Sequence, residues 1–294
     1  MSWSVLTGYW SFEPIVLVSL ALAAMLYWFG EWTSAARPLW RSLCYYAGLL
    51  AIFLALESPI DGLDGRLFWV HMLQHLILIM VAAPLIILGD PAMPILRAWP
   101  LKPRRRFLRL VTQQPWSRDA GAVLAFLTSP WTAALVFLVD LYLWHWDVLF
   151  NLTLRNQAVH DLEHVCFLST ALLLWSQIID QKPIHARMTY LARAGYILLV
   201  GAAGNLLAMY FVFAQRPLYA QYANLFPRPF GMGALMDQQL AGALMWVPVL
   251  FVFAIAFCIC LYKWLGDEQR STEVGTVPAY RLLDGSLSSE VIRR

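Results

Sequence analysis

The stretch LFWVHMLQHLILIMVAAPLIILGDP, residues 67–91, decides how the chain is read. From Leu67 to Leu88 it is apolar over the roughly 20 residues that a helix needs to cross a bilayer core. It then stops at Gly89-Asp90-Pro91, a helix-breaking run. Yet His71 and His75 lie inside it. Ionisable side chains are costly in hydrocarbon and ordinarily face a bundle interior or a cavity. The stretch therefore reads as a membrane span that carries a polar site.

Working outward, six more stretches share its length and apolar character: Pro14 to Phe29, Leu39 to Leu56, Ala120 to Trp144, Ala158 to Ile179, Leu191 to Ala214 and Leu240 to Leu261. The expected fold is an all-α integral membrane protein, a bundle of seven transmembrane helices. Composition agrees. Of 294 residues 60% are hydrophobic and 13% charged, with a mean hydropathy of +0.60, whereas soluble domains carry about a quarter charged residues. The connections are too short for a second domain, so residues 1–265 form one transmembrane domain and the polar run 266–294 is expected to be a mobile cytoplasmic tail. The four cysteines, Cys44, Cys166, Cys258 and Cys260, lie inside apolar runs and read as buried residues with no disulfide.

Charge sets the orientation. Seventeen of the 21 Lys and Arg residues fall in the first, third and fifth connections and the tail; only Arg66, Arg155, Arg216 and Arg228 lie elsewhere. The positive-inside rule then puts the N-terminus outside and the C-terminus in the cytoplasm. The third connection is the most basic, with Arg97, Lys102, Arg104, Arg105, Arg106, Arg109 and Arg118, and reads as a topology anchor on anionic headgroups, with no role in binding nucleic acid. The first residues lack a basic n-region and a cleavage site, so the first span reads as retained.

Five of the six histidines fall in two places: His71 and His75 in the third span, and His145, His160 and His164 around the fourth and fifth. Both pairs begin spans that run inward from outside, at matched depths of roughly 6 and 12 Å. An i, i+4 pair lies on one helix face about 6 Å apart, a spacing at which two imidazoles can chelate one metal ion. The pairs share the pattern H-x-L-[Q/E]-H, His71 to His75 and His160 to His164. Gln74 and Glu163 sit about 60° from the first His of each pair, suited to orient a ring; Glu163 and Asp161 are also candidate ligands. Asp237 is either a neutralising carboxylate or an N-cap of the seventh span, and Asp140 lies within the fourth. Met72, Met209, Met232 and Met236 offer thioethers, which together with imidazole suit Cu(I). His185 is assigned nothing.

These residues resemble the CtaG-type membrane proteins required for assembly of caa3-type cytochrome c oxidases. The resemblance runs from the third span to the seventh. It rests on His71-Met72-Leu73-Gln74-His75 with Ala83-Pro84-Leu85 and Gly89-Asp90-Pro91, on Leu143-Trp144-His145, and on Val159-His160-Asp161-Leu162-Glu163-His164 with Phe167 and Trp175. Pro217-Leu218-Tyr219 with Tyr222, and Asp237-Gln238-Gln239-Leu240-Ala241-Gly242 with Met245-Trp246, complete it. One departure is Trp146-Asp147, where a proline is expected soon after Trp-His; Asp147 there either adds a ligand or replaces a turn. The resemblance implies a bacterial inner-membrane, multi-pass assembly factor linked to the copper centre of the oxidase. Its expected partners are an oxidase subunit, a periplasmic copper donor and the bilayer, with a homo-oligomer left open.

The function expected is a metallochaperone, not an enzyme, holding Cu(I) or Cu(II) on His71, His75, His145, His160 and His164. Asp237, Glu163, Asp161, Met72 and Met236 are the supporting candidates. Three alternatives stay open: a haem b carrier ligated across the two pairs, a dinuclear zinc or iron enzyme using Asp161, Glu163 or Asp237, and a copper transporter. Transport ranks last because the inner halves of the spans are almost wholly apolar, Asn205 being one of few polar groups there.

Overall fold

The computed structural model describes residues 9–32, 38–112, 117–180 and 186–275, and no strand occurs among them. Its helices are α1 (Pro14–Trp32), α2 (Leu39–Glu57), the short α3 (Pro59–Asp64), and α4, the span 68–88 quoted above. Then come α5 (Ala92–Ala98), α6 (Leu101–Thr112), α7 (Ser117–Leu127), α8 (Pro130–Trp144), α9 (Asp147–Thr153), α10 (Gln157–Ile178), α11 (Tyr190–Phe213), α12 (Ala220–Ala223) and α13 (Ala234–Gly275).

Among the described residues five stretches are long and apolar enough to cross a membrane: Pro14–Trp32, Leu39–Asp64, Phe68–Leu88, Tyr190–Phe213 and Ala234–Arg270. The expected fourth span is two helices, its portion from Gly121 to Leu127 meeting α8 at a 59° bend. The break has a local cause. Pro130 has no amide hydrogen to continue α7, and the Ser129 side chain instead caps α8 by accepting from the Thr132 amide at 3.3 Å. The expected fifth span, α10, has the length but not the apolarity, because Gln157, His160, Asp161, Glu163 and His164 crowd its first turns. Large apolar side chains are exposed along α1 and α13, among them Ile15, Val18, Leu22, Leu250, Phe251 and Ile255. Such belts, with five helices of spanning length, are consistent with a multi-pass membrane protein.

α4 is the axis of the bundle. It packs on α2, α10 and α13, and 56% of its apolar window is buried, against 11% for α1. Midway it widens to a π-helix over Ile77–Ala82, with the Ala83 amide bonding the Leu78 carbonyl five residues back. The next amide would be that of Pro84, which does not exist, so the Ile79 carbonyl has no partner within the helix. The indole of Trp175, from α10, donates to it at 2.9 Å. Sequence alone gave no sign of the π-turn.

Two glycines permit close helix approach. A Cβ on Gly30 would lie 1.8 Å from the Pro94 carbonyl oxygen, so α1 lies directly on α5; one on Gly242 would lie 2.9 Å from the Ala208 carbonyl, where α13 meets α11. At the opposite end of the bundle from the histidines, the Arg193 guanidinium donates to both oxygens of Asp180, at 2.8 and 2.9 Å, and ties α10 to α11. α13 continues through Gly266 to Gly275; the rest of the expected tail, and His185, lie outside the described residues. Cysteine burial is uneven: Cys260 is buried, Cys44 and Cys166 half-buried, and Cys258 exposed on the outer face of α13, which corrects the expectation that all four are buried.

Candidate metal centre

The site is built where the first turns of α4 and α10 meet. α4 has no N-cap side chain of its own. Asp237, fully buried at the start of α13, supplies the cap by accepting from the amides of Phe68 at 3.1 Å and Trp69 at 3.0 Å. Its charge is met by Arg228 Nη2 at 2.6 Å. The expectation that Asp237 is a ligand or the cap of its own helix is therefore corrected: its oxygens hold the neighbouring helix and fix the position of His71 one turn further on. α10 is capped by Asn156, whose side chain accepts from the amides of Ala158 and Val159.

These two starts bring His71, His75, His160, Glu163 and His164 together, all buried. Ring centroids lie 4.4 Å apart for His71 and His75, 5.0 Å for His71 and His160, 4.2 Å for His160 and His164, and 5.3 Å for His75 and His164. Glu163 sits between them. One of its oxygens is 3.5 Å from His75 Nε2 and the other 3.7 Å from His71 Nε2. One ligand atom from each of His71, His75, His160 and Glu163 falls within 4.8 Å of all the others. Phe150, 5.1 Å from the His71 ring, and Phe167, 4.7 Å from His75, close the flanks.

Polar satisfaction is what sets the cluster apart. Both nitrogens of His71 and of His75, Nε2 of His160 and His164, and both oxygens of Glu163 are buried with no hydrogen-bond partner among the described residues. Buried polar groups are almost always paired, and orphans concentrated in one place call for an unseen partner. Tetrahedral ligands about 2 Å from one ion lie roughly 3.4 Å from one another, so a small contraction of this set would enclose a cation. Three imidazoles and a carboxylate fit zinc, Cu(II) or iron on ligand type.

Other candidates fall outside the cluster. His145 caps the end of α8; its Nδ1 donates to the Leu141 carbonyl at 2.7 Å, leaving Nε2 to face the Met72 sulfur at 3.3 Å. It stands beside the cluster, sharing Phe150 and Phe167 with it as ring neighbours. Met72 thus meets His145 and not the His71 pair, and Met236 is exposed. Asp161 is exposed and accepts from Gln157. Asp140 accepts from Trp144 and Thr170, and Asp147 from Asn151 at the surface. The Gln74 amide nitrogen donates to the Ala55 carbonyl and to Asp61, each at 3.0 Å, while its Oε1, the atom expected to accept from a ring, is buried with no hydrogen-bond partner among the described residues.

One residue was missed from sequence. Asp64, ending α3, places Oδ2 3.2 Å from His160 Nε2 and 3.8 Å from His71 Nδ1. Tyr222 donates to the Asp64 carbonyl; burial pushes its phenol well above the ordinary value, so it remains a donor. The signal was available only as two acidic residues, Asp61 and Asp64, in a breaker-rich connection.

A profile of the cytochrome c oxidase caa3 assembly factors matches residues 23–267. Among curated proteins, one of Mycobacterium leprae, described as uncharacterised, is 24% identical over 239 residues, covering 79% of this chain and 35% of its own length. A second, from Mycobacterium bovis and also described as uncharacterised, is 23% identical over 269 residues, covering 89% of this chain and 40% of its own. The chain thus spans well under half the length of these relatives. No solved structure matches.

Proposed function

Because the chain belongs to the cytochrome c oxidase caa3 assembly factor family, we propose that it serves oxidase assembly as a copper chaperone, with His71, His75, His160 and Glu163 holding the ion. The observation that carries this reading is the concentration of unpartnered imidazole nitrogens and carboxylate oxygens in one buried space. His164 and Asp64 flank the ion and His145 stands behind it. The cargo is copper, bound near the outer surface of the inner membrane and handed to an oxidase subunit, with a periplasmic donor upstream. Seven crossings, with α7–α8 as a bent span and α10 as a polar one, and an external N-terminus put the cluster on the side where that subunit is reached. The role is handover and not turnover.

A second reading is supported by Glu163. A carboxylate among imidazoles resembles the ligand sets of catalytic zinc and iron sites as much as that of a copper carrier. Haem b fits poorly, since Phe150 and Phe167 pack against the rings and the 5.0 Å approach of His71 to His160 leaves no plane for a macrocycle. Metal analysis of the purified protein with a visible spectrum decides among them. Stoichiometric copper without a Soret band is expected; zinc or iron in its place favours the enzyme, and a Soret band overturns both.

A further inference from the structure

Beside the cluster lies a 190 Å³ cleft between the N-terminal end of α1, α3 and α10. Its polar lining is Glu13, Asp61, Gln157, Asp161 and His164, and no described Lys or Arg lines it. Its acidic groups are met by neutral donors: Asp61 accepts from Ser11 and Gln74, and Asp161 from Gln157. An acidic lining alone would be only a solvated surface. His164 makes it more than that. Its ring is 6% exposed, its Nε2 has no hydrogen-bond partner, and it belongs both to the wall of the cleft and to the cluster, 4.2 Å from His160 and 5.3 Å from His75.

We infer that this cleft is the passage by which a transition-metal cation, copper under the reading above on which this rests, reaches and leaves the buried cluster. Asp61, Asp161 and Glu13 gather the cation, and the free nitrogen of His164 passes it inward to His75 and His160. A negative cleft with apolar walls concentrates cations and raises their rate of arrival, an effect that salt weakens. The carboxylates act on rate, because they lie outside the ligand set. Phe150 and Phe167 close two other flanks of the cluster, and His164 stands on the flank that faces the cleft.

The test is stopped-flow loading of the full chain in detergent with Cu(II) supplied as its glycinate complex, followed by release to a chelator. Asp61→Asn combined with Asp161→Asn is expected to slow loading tenfold or more at low ionic strength and to flatten its salt dependence, with final copper per chain as in wild type. Val165→Trp, placing an indole on the cleft wall, is expected to slow loading and release together at every salt concentration. Slowing by either variant with copper content intact supports the passage, so one that misfolds leaves the other to decide. Wild-type rates in both overturn it while leaving the cluster's role standing. A wild-type chain that takes up no copper at equilibrium is the separate failure of the chaperone reading, and removes the passage with it.

Discussion

Glu163→Gln separates what the cluster does for metal from what it does to the fold. The side chain is wholly buried, neither oxygen has a hydrogen-bond partner, and the nearest nitrogens, at 3.5 and 3.7 Å, are beyond a good hydrogen bond. A carboxylate so placed costs several kcal/mol of desolvation, which neighbours at these distances offset only in part when no cation is present. Glutamine has the same size and no charge, so the metal-free variant is expected to be more stable than wild type by about 1–3 kcal/mol. With copper the order changes. At a copper concentration 100 times its dissociation constant, wild type gains about 2.7 kcal/mol by linkage. If losing the anionic ligand weakens binding about 100-fold, the variant at the same concentration gains only RT ln 2, about 0.4 kcal/mol. Thermal unfolding in detergent, with and without Cu(II), reads both effects. A variant that is less stable without metal, or that keeps the whole copper-induced gain, would refute the argument.

Three further outcomes are expected. His75→Ala and His160→Ala should each remove most copper binding and the double variant little more, because ligands of one ion act as a unit; additive losses would mean two independent sites. Trp175→Phe leaves the Ile79 carbonyl without its donor in the apolar core and should lower stability by about 1–3 kcal/mol, whereas a change below about 0.3 kcal/mol would show that the π-turn satisfies itself. Burial tends to raise the Asp180 carboxyl, but the Arg193 guanidinium more than reverses this and leaves it below the usual range. A carboxyl with a depressed folded-state value stabilises the fold above its unfolded value, about pH 4, and loses that contribution as pH falls through the folded one. The stability difference between wild type and Asp180→Asn should therefore shrink in acid below about pH 4; a difference constant from neutral pH into acid would contradict the pairing.

The cluster was legible in the sequence to the extent that helical periodicity alone determines it. His71 with His75, and His160 with His164, share helix faces whatever the tertiary structure, and matched depth in two spans running the same way suffices to suggest that they meet. Glu163 could be placed near that face but not in its centre, since its distance from His71 depends on the separation of α4 and α10. Asp237, Gln74 and Met72 could not be placed from sequence for a common reason: each makes its decisive contact across the bundle, to the amides of Phe68 and Trp69, to Asp61 and to His145. No spacing rule encodes such pairings. Asp64 was overlooked because a short helix, not a loop, carries it back over the histidines.

Among the described residues five helices, and not seven, meet the length and apolarity of a span, for a reason tied in part to the site itself. α10 falls short of the apolarity of the five spanning helices because its first turns supply His160, Glu163 and His164. A helix with these groups facing lipid would be expelled from the hydrocarbon; facing α4, they are shielded by Phe150, Phe167 and the His71 pair. Under the proposed seven-span topology, insertion of α10 and assembly of the cluster are one event, in which α4 provides the surface that makes the polar end tolerable. The π-turn contributes from further along. Its free carbonyl accepts the indole of Trp175 near the C-terminal end of α10, so the two helices are joined twice, by this hydrogen bond and by the ligand-bearing faces of their first turns. Under the proposed role, a cation in the cluster would fasten the histidine-bearing half of a helix pair already joined elsewhere, and its loss would loosen that half alone, the half where a partner would dock to take the ion.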